Sequence, residues 1–145
     1  MSVITYNTIN VALPSIPQDD ISSWLCDVAE KYGKQVDCVN YVFVDDEEIL
    51  RLNRQFVHHD YYTDHIGFDT SQGNILSGDT YISLDTVRTN AELFHTPYTK
   101  ELLRVVVHSI LHLCGIEDKT PEERAVMEQA EDAALTMLPN TMWER

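Results

Sequence analysis

The stretch HSILHLCGIED at residues 108–118 constrains this chain more than any other. Before and within it, Leu103, Val106, Val107, Ile110 and Cys114 recur at intervals of three and four, the stripe of an amphipathic helix. The β-branched run at 105–107 favours a strand by propensity alone, but the spacing outweighs it and predicts a helix over 99–114. On a helix turning ~100° per residue, His108 and His112 lie ~40° apart on one face. Cys114 falls ~240° from His108, on the opposite face. Gly115 is the natural stop. Beyond it the chain can turn and bring Asp118 back toward the histidines. Such a helix must bury one side in a core and leave the other open to a site.

Two histidines and a carboxylate can hold one metal ion. With open positions for water, that set suits a catalytic zinc. Structural zinc prefers four protein ligands, usually rich in cysteine. Glu117 competes with Asp118 as third ligand. Bare HxxxH pairs also occur on helices that bind nothing, where Glu117 and Asp118 are solvated loop carboxylates. A zinc peptidase carries glutamate directly after its first histidine, and here that position is Ser109. The motif supplies no general base, and the catalytic residues are unknown from the sequence.

The rest of the chain alternates strand and helix signals. Residues 3–12 read as a strand and 17–34 as a helix, capped by Asp19 or Asp20, with Ile21, Trp24, Leu25 and Val28 inward and Gly33 at its end. Residues 35–45 read as a strand and 45–57 as a helix with acidic residues at its N-terminus. A loop over 58–63, a short strand over 64–69, a turn at 71–74 and a strand over 77–85 follow. Residues 86–94 read as a helix, and a last helix covers 119–138. Thr120 and Glu123 form its capping box, with Pro121 at the first helical position. This pattern predicts one α/β (α+β) domain over 1–145, with a small mixed sheet packed against helices.

Composition limits the partners. The net charge is −14, which argues against nucleic-acid binding by general electrostatics, so an RNA partner needs a local basic patch, a metal or a larger assembly. No apolar run reaches the ~18 residues that cross a bilayer, and no secretion signal opens the chain, so a cytoplasmic protein is expected. Cys26, Cys38 and Cys114 are odd in number and widely spaced, and read as reduced, mostly buried thiols.

Several blocks together resemble the YbeY family of bacterial single-strand endoribonucleases. HSILHLCGIED matches most of that family's HGxLHLxGxDH block. LNRQFVHHDYYTDHIGFD at 52–69, SGDTYISLDTV at 77–87 and MEQAE at 127–131 match others in the same order. The resemblance implies a zinc ion on His108, His112 and Asp118. It implies rRNA and the small ribosomal subunit as partners, with no DNA and no membrane, and activity in maturing the 3′ end of 16S rRNA and in ribosome quality control. Members commonly carry histidine where this chain has Asp118, and many carry a cleavage-assisting arginine where it has Val57. Arg54, His58, His59 and His65 lie near enough in sequence to substitute. Asp64 and Asp79 fall in the matched blocks, where they either orient a ligand or bind substrate, or merely shape loops and strand ends. His65 alternates with Asp64 and can face the cleft. His58, His59 and Asp60 form a denser cluster without preset geometry. Two other functions fit the residues: a metallopeptidase of the HxxxHxxGxxD type, disfavoured by Ser109, and a non-catalytic ribosome-assembly factor, favoured by Val57 and the acidic charge.

Overall fold

The computed structural model describes residues 2–57 and 64–143. Four strands, β1 (Val3–Thr8), β2 (Gln35–Val44), β3 (His65–Asp69) and β4 (Ile75–Ser83), form one sheet in the order β1-β2-β4-β3. β1 and β4 run parallel to β2, and β3 runs antiparallel to β4, so the sheet is mixed. Helices α1 (Gln18–Lys31), α2 (Asp46–Leu52), α3 (Leu84–Leu93), α4 (Tyr98–Leu113) and α5 (Pro121–Leu135) complete the α+β domain.

Strand alternation builds two cores. Val39, Tyr41 and Phe43 of β2, with Leu76 and Ile82 of β4, join α1, α4 and α5 in the larger one. The intervening Val42 and Val44 join Ile49 and Leu52 of α2 and Ile66 of β3 in a smaller one. This is the period-two geometry of a strand covered on both faces. α4 is buried nearly all round, because the sheet, α1, α3 and α5 enclose it. That enclosure is why its valines are helical: packing of the stripe overrides their strand propensity. The Tyr41 hydroxyl donates 2.8 Å to the Val106 carbonyl and ties β2 to α4.

Several boundaries depart from expectation. β1 stops at Thr8 rather than residue 12. α1 begins after Pro17 with no side-chain cap, and Asp19 and Asp20 lie in its first turn, where the helix dipole favours them. The helix expected over 45–57 ends at Leu52 and gives way to a wider π-helical turn, Asn53–Val57. The strand expected to 85 ends at Ser83, whose hydroxyl accepts the Thr86 amide and caps α3, making Leu84 helical. Of the thiols, Cys26 and Cys114 are half-buried and Cys38 is exposed, beside a register shift between Val36 and Cys38. The loop 58–63 and the His58, His59, Asp60 cluster lie outside the described residues.

Candidate active site

α4 carries His108 and His112 to one open end of the larger core. The helix stops at Cys114, and Gly115 takes φ +103°, a conformation that side chains disfavour. The chain reverses there. Asp118 Oδ2 ends 3.2 Å from His108 Nε2. Two ligands of one tetrahedral zinc, each about 2.0–2.1 Å from it, stand roughly 3.3 Å apart, so this pair already has ligand spacing. His112 lines the same cavity, of about 200 Å³. Among the described residues, no three His, Cys, Asp or Glu side chains stand together as a ready metal shell, so His112 does not complete the set as it stands. The donor chemistry fits a divalent ion, with two imidazoles and one carboxylate. Glu117 is exposed and lines neither of the two cavities at His108.

The other nitrogen of His108 was not read from the sequence. Glu131 Oε2 lies 2.6 Å from Nδ1, and Glu131 is only 6% exposed. A proton on Nδ1 donated to this carboxylate leaves Nε2 as the ligand atom. Arg104 holds Glu131 in turn at 3.1 Å and also pairs with Glu101 and Asp132. Burial disfavours charge on His108. The hydrogen bond and charge of Glu131, with Asp118 and Asp64, outweigh it and raise the pKa above its usual value. MEQAE contains Glu131, but only the packing of α5 on α4 reveals its partner.

β3 supplies the opposite wall. Its alternation turns Ile66 and Phe68 to the smaller core and His65 toward α4. The rings of His65 and His108 lie 4.6 Å apart, centre to centre. His65 Nδ1 is 2.7 Å from Asp64 Oδ1. Burial opposes ionisation of Asp64, yet the hydrogen bond and charge of His65, with His108 behind, hold it below the usual carboxylate range. His65 Nδ1 therefore donates to it. Asp79 also lines the cavity.

Arg54 follows α2, which packs on the sheet face away from α4. It lines a separate depression with Asp45, Glu47 and Glu48 and is not brought to His108. Ser109 is 5% exposed, and its hydroxyl lies 2.6 Å from Thr80 Oγ1. It ties α4 to β4 and cannot serve as the peptidase base. Cys114 packs against the core, and burial, partly offset by Lys34, pushes its thiol up to about 11.

The family model for Endoribonuclease YbeY matches residues 7–139, nearly the whole chain. The chain belongs to the YbeY family. The Endoribonuclease YbeY of Parabacteroides distasonis is 54% identical over 94% of this chain and 96% of its own length. That of Bacteroides thetaiotaomicron is 54% identical over 92% and 98%. The Porphyromonas gingivalis protein of the same name is 45% identical over 98% and 94%. A solution structure of a Thermotoga maritima protein, 27% identical, superposes with a TM-score of 0.64 over 93% of this chain and 91% of that one. The α+β fold is thus shared with a solved structure, and the YbeY blocks at 52–69, 77–87 and 108–118 converge on one cleft around His65, Asp79 and His108. No helix among the described residues is long and apolar enough to cross a membrane.

Proposed function

We propose that this chain is a zinc-dependent, single-strand-specific endoribonuclease of the cytoplasm. It acts on the 3′ end of 16S rRNA during small-subunit maturation and in ribosome quality control. The supporting observation is the arrangement at His108: Nε2 faces Asp118 at ligand spacing, and Nδ1 is held by Glu131. His108, His112 and Asp118 are the residues that would hold the ion. Bound there, zinc supplies Lewis-acid polarisation of the phosphodiester.

The chain's own groups do the remaining work. Glu131 and Arg104 hold the His108 ring and its tautomer. His65, its Nδ1 held by Asp64 and its ring against His108, would move a proton at the reacting phosphate through Nε2. Asp79 lines the floor. A substrate 2′-hydroxyl as nucleophile makes a peptidase-type glutamate unnecessary, which agrees with the engaged hydroxyl of Ser109.

The test is cleavage of a single strand containing the small-subunit rRNA 3′ end by zinc-loaded protein and by His112→Ala. Cleavage by the first alone, with zinc lost from the second, is expected. Full activity in a zinc-free variant would overturn the metal. The net charge of −14 favours one second reading, a non-catalytic assembly factor on the small subunit. Zinc bound without cleavage, together with tight subunit binding, would establish it.

A further inference from the structure

A chain with a net charge of −14 attracts a polyanion poorly, so a phosphodiester needs a cation placed at the cleft itself. Among the described residues, no lysine or arginine lines the cavity with His112. A second cavity, also about 200 Å³, shares His65, His108 and Asp118 with it and contains two arginines, Arg104 and Arg124. Arg104 is taken up by Glu101 at 3.7 Å and by Glu131 and Asp132 at 3.1 Å each. Arg124, in the first turn of α5, is exposed on the rim and, among the described residues, forms no side-chain hydrogen bond or ion pair.

That openness is unusual for its surroundings. Asp64, Glu101, Asp118, Glu128 and Glu131 line the same cavity, yet none of them closes on the Arg124 guanidinium. Glu128 lies one helical turn on, where a pair could form. An open guanidinium beside the His108–Asp118 pair suits a phosphate, which it can grip through two parallel N–H donors. Arg54 faces the separate depression beside α2 and does not supply this contact.

We propose that Arg124 binds a backbone phosphate adjoining the bond held at His108. α5 thereby serves the cleft twice, with Glu131 holding the His108 ring and Arg124 holding substrate. This inference rests on the endoribonuclease reading, but binding can be measured apart from cleavage.

The experiment is fluorescence anisotropy of a labelled 2′-O-methyl single strand, which has no 2′-hydroxyl to react, over a salt series with zinc-loaded protein. Wild type, Arg124→Ala, Arg124→Lys and a control, Arg88→Ala on α3, which lines neither cavity, are compared, with parallel cleavage of the unmodified strand. Arg124→Ala should weaken binding about tenfold and lower the log–log salt slope by about 0.7. Arg124→Lys should restore the slope but only part of the affinity, and Arg88→Ala should match wild type. Unchanged affinity and slope in Arg124→Ala, with wild type binding, would overturn the contact and leave the nuclease reading intact. Weaker binding by Arg124→Ala without cleavage by wild type would support the contact and sink the nuclease. Failure of wild type to bind the strand would overturn the contact, and the parallel cleavage of the unmodified strand would decide the nuclease reading separately.

Discussion

At the scale of single residues, one carboxylate sets what His108 can do. An imidazole ligand needs its second nitrogen anchored, or the ring turns and the lone pair is misdirected. Glu131 provides that anchor at 2.6 Å, and Arg104 holds it in place at 3.1 Å. Glu131→Gln keeps the shape but lets the amide present either an N–H or a carbonyl to Nδ1. Its zinc affinity should fall about 10–100-fold, measured by competition against a chelator, with the thermal midpoint of the metal-free protein moved far less. Unchanged zinc affinity would show that Glu131 only packs. The His108–His112 pair was legible from the spacing, because two residues four apart on a helix share a face whatever surrounds them. Glu131 was not, because 23 residues of turn and helix separate it from His108. Arg54 lines a depression beside α2, and nearness in sequence to the matched block does not say which face of the sheet a residue joins.

Among the elements, β3 and β4 decide whether His65 meets His108. Gly78 pairs with Asp69 across these strands, and a Cβ built on it would stand 2.5 Å from the Phe68 carbonyl oxygen. The atoms it meets are backbone, so relief requires β3 to move. Gly78→Ala should therefore spread β3 from β4, lower stability by roughly 1–3 kcal/mol and displace Asp64 and His65. Hydrogen exchange should show the amides of 65–69 losing protection while those of α1 keep theirs. Retained protection in β3 would mean that the sheet absorbs the methyl. Three helix signals were local: the α4 stripe, the reversal at Gly115, and the capping box in which Thr120 and Glu123 each receive the other's amide. The strand ends were less legible. Whether Leu84 extends β4 or starts α3 turned on the Ser83 hydroxyl reaching the Thr86 amide, a choice the alternating pattern does not encode.

For the whole molecule, the site is stable only if α1, α4 and α5 keep their packing. The buried Trp24 Nε1 of α1 donates 2.8 Å to the Ala134 carbonyl near the end of α5, joining residues 110 apart. Trp24→Phe removes the donor and part of the ring. It should cost about 1–3 kcal/mol and lower the thermal midpoint by roughly 3–9 °C, read by differential scanning calorimetry. A midpoint within one degree of wild type would show that solvent replaces the bond. The sequence by itself determined the helical faces, the turn at Gly115, the mixture of strands and helices, and the block order that marks the family. All of these rest on periods of two and 3.6 residues and on local caps, which depend on neighbours a few positions away. Only the tertiary structure decided that Glu131 holds His108, that His65 meets His108, and that Arg124 borders the cleft. These depend on how α5 and β3 pack against α4, and packing between distant segments follows the fit of whole buried surfaces rather than any local period.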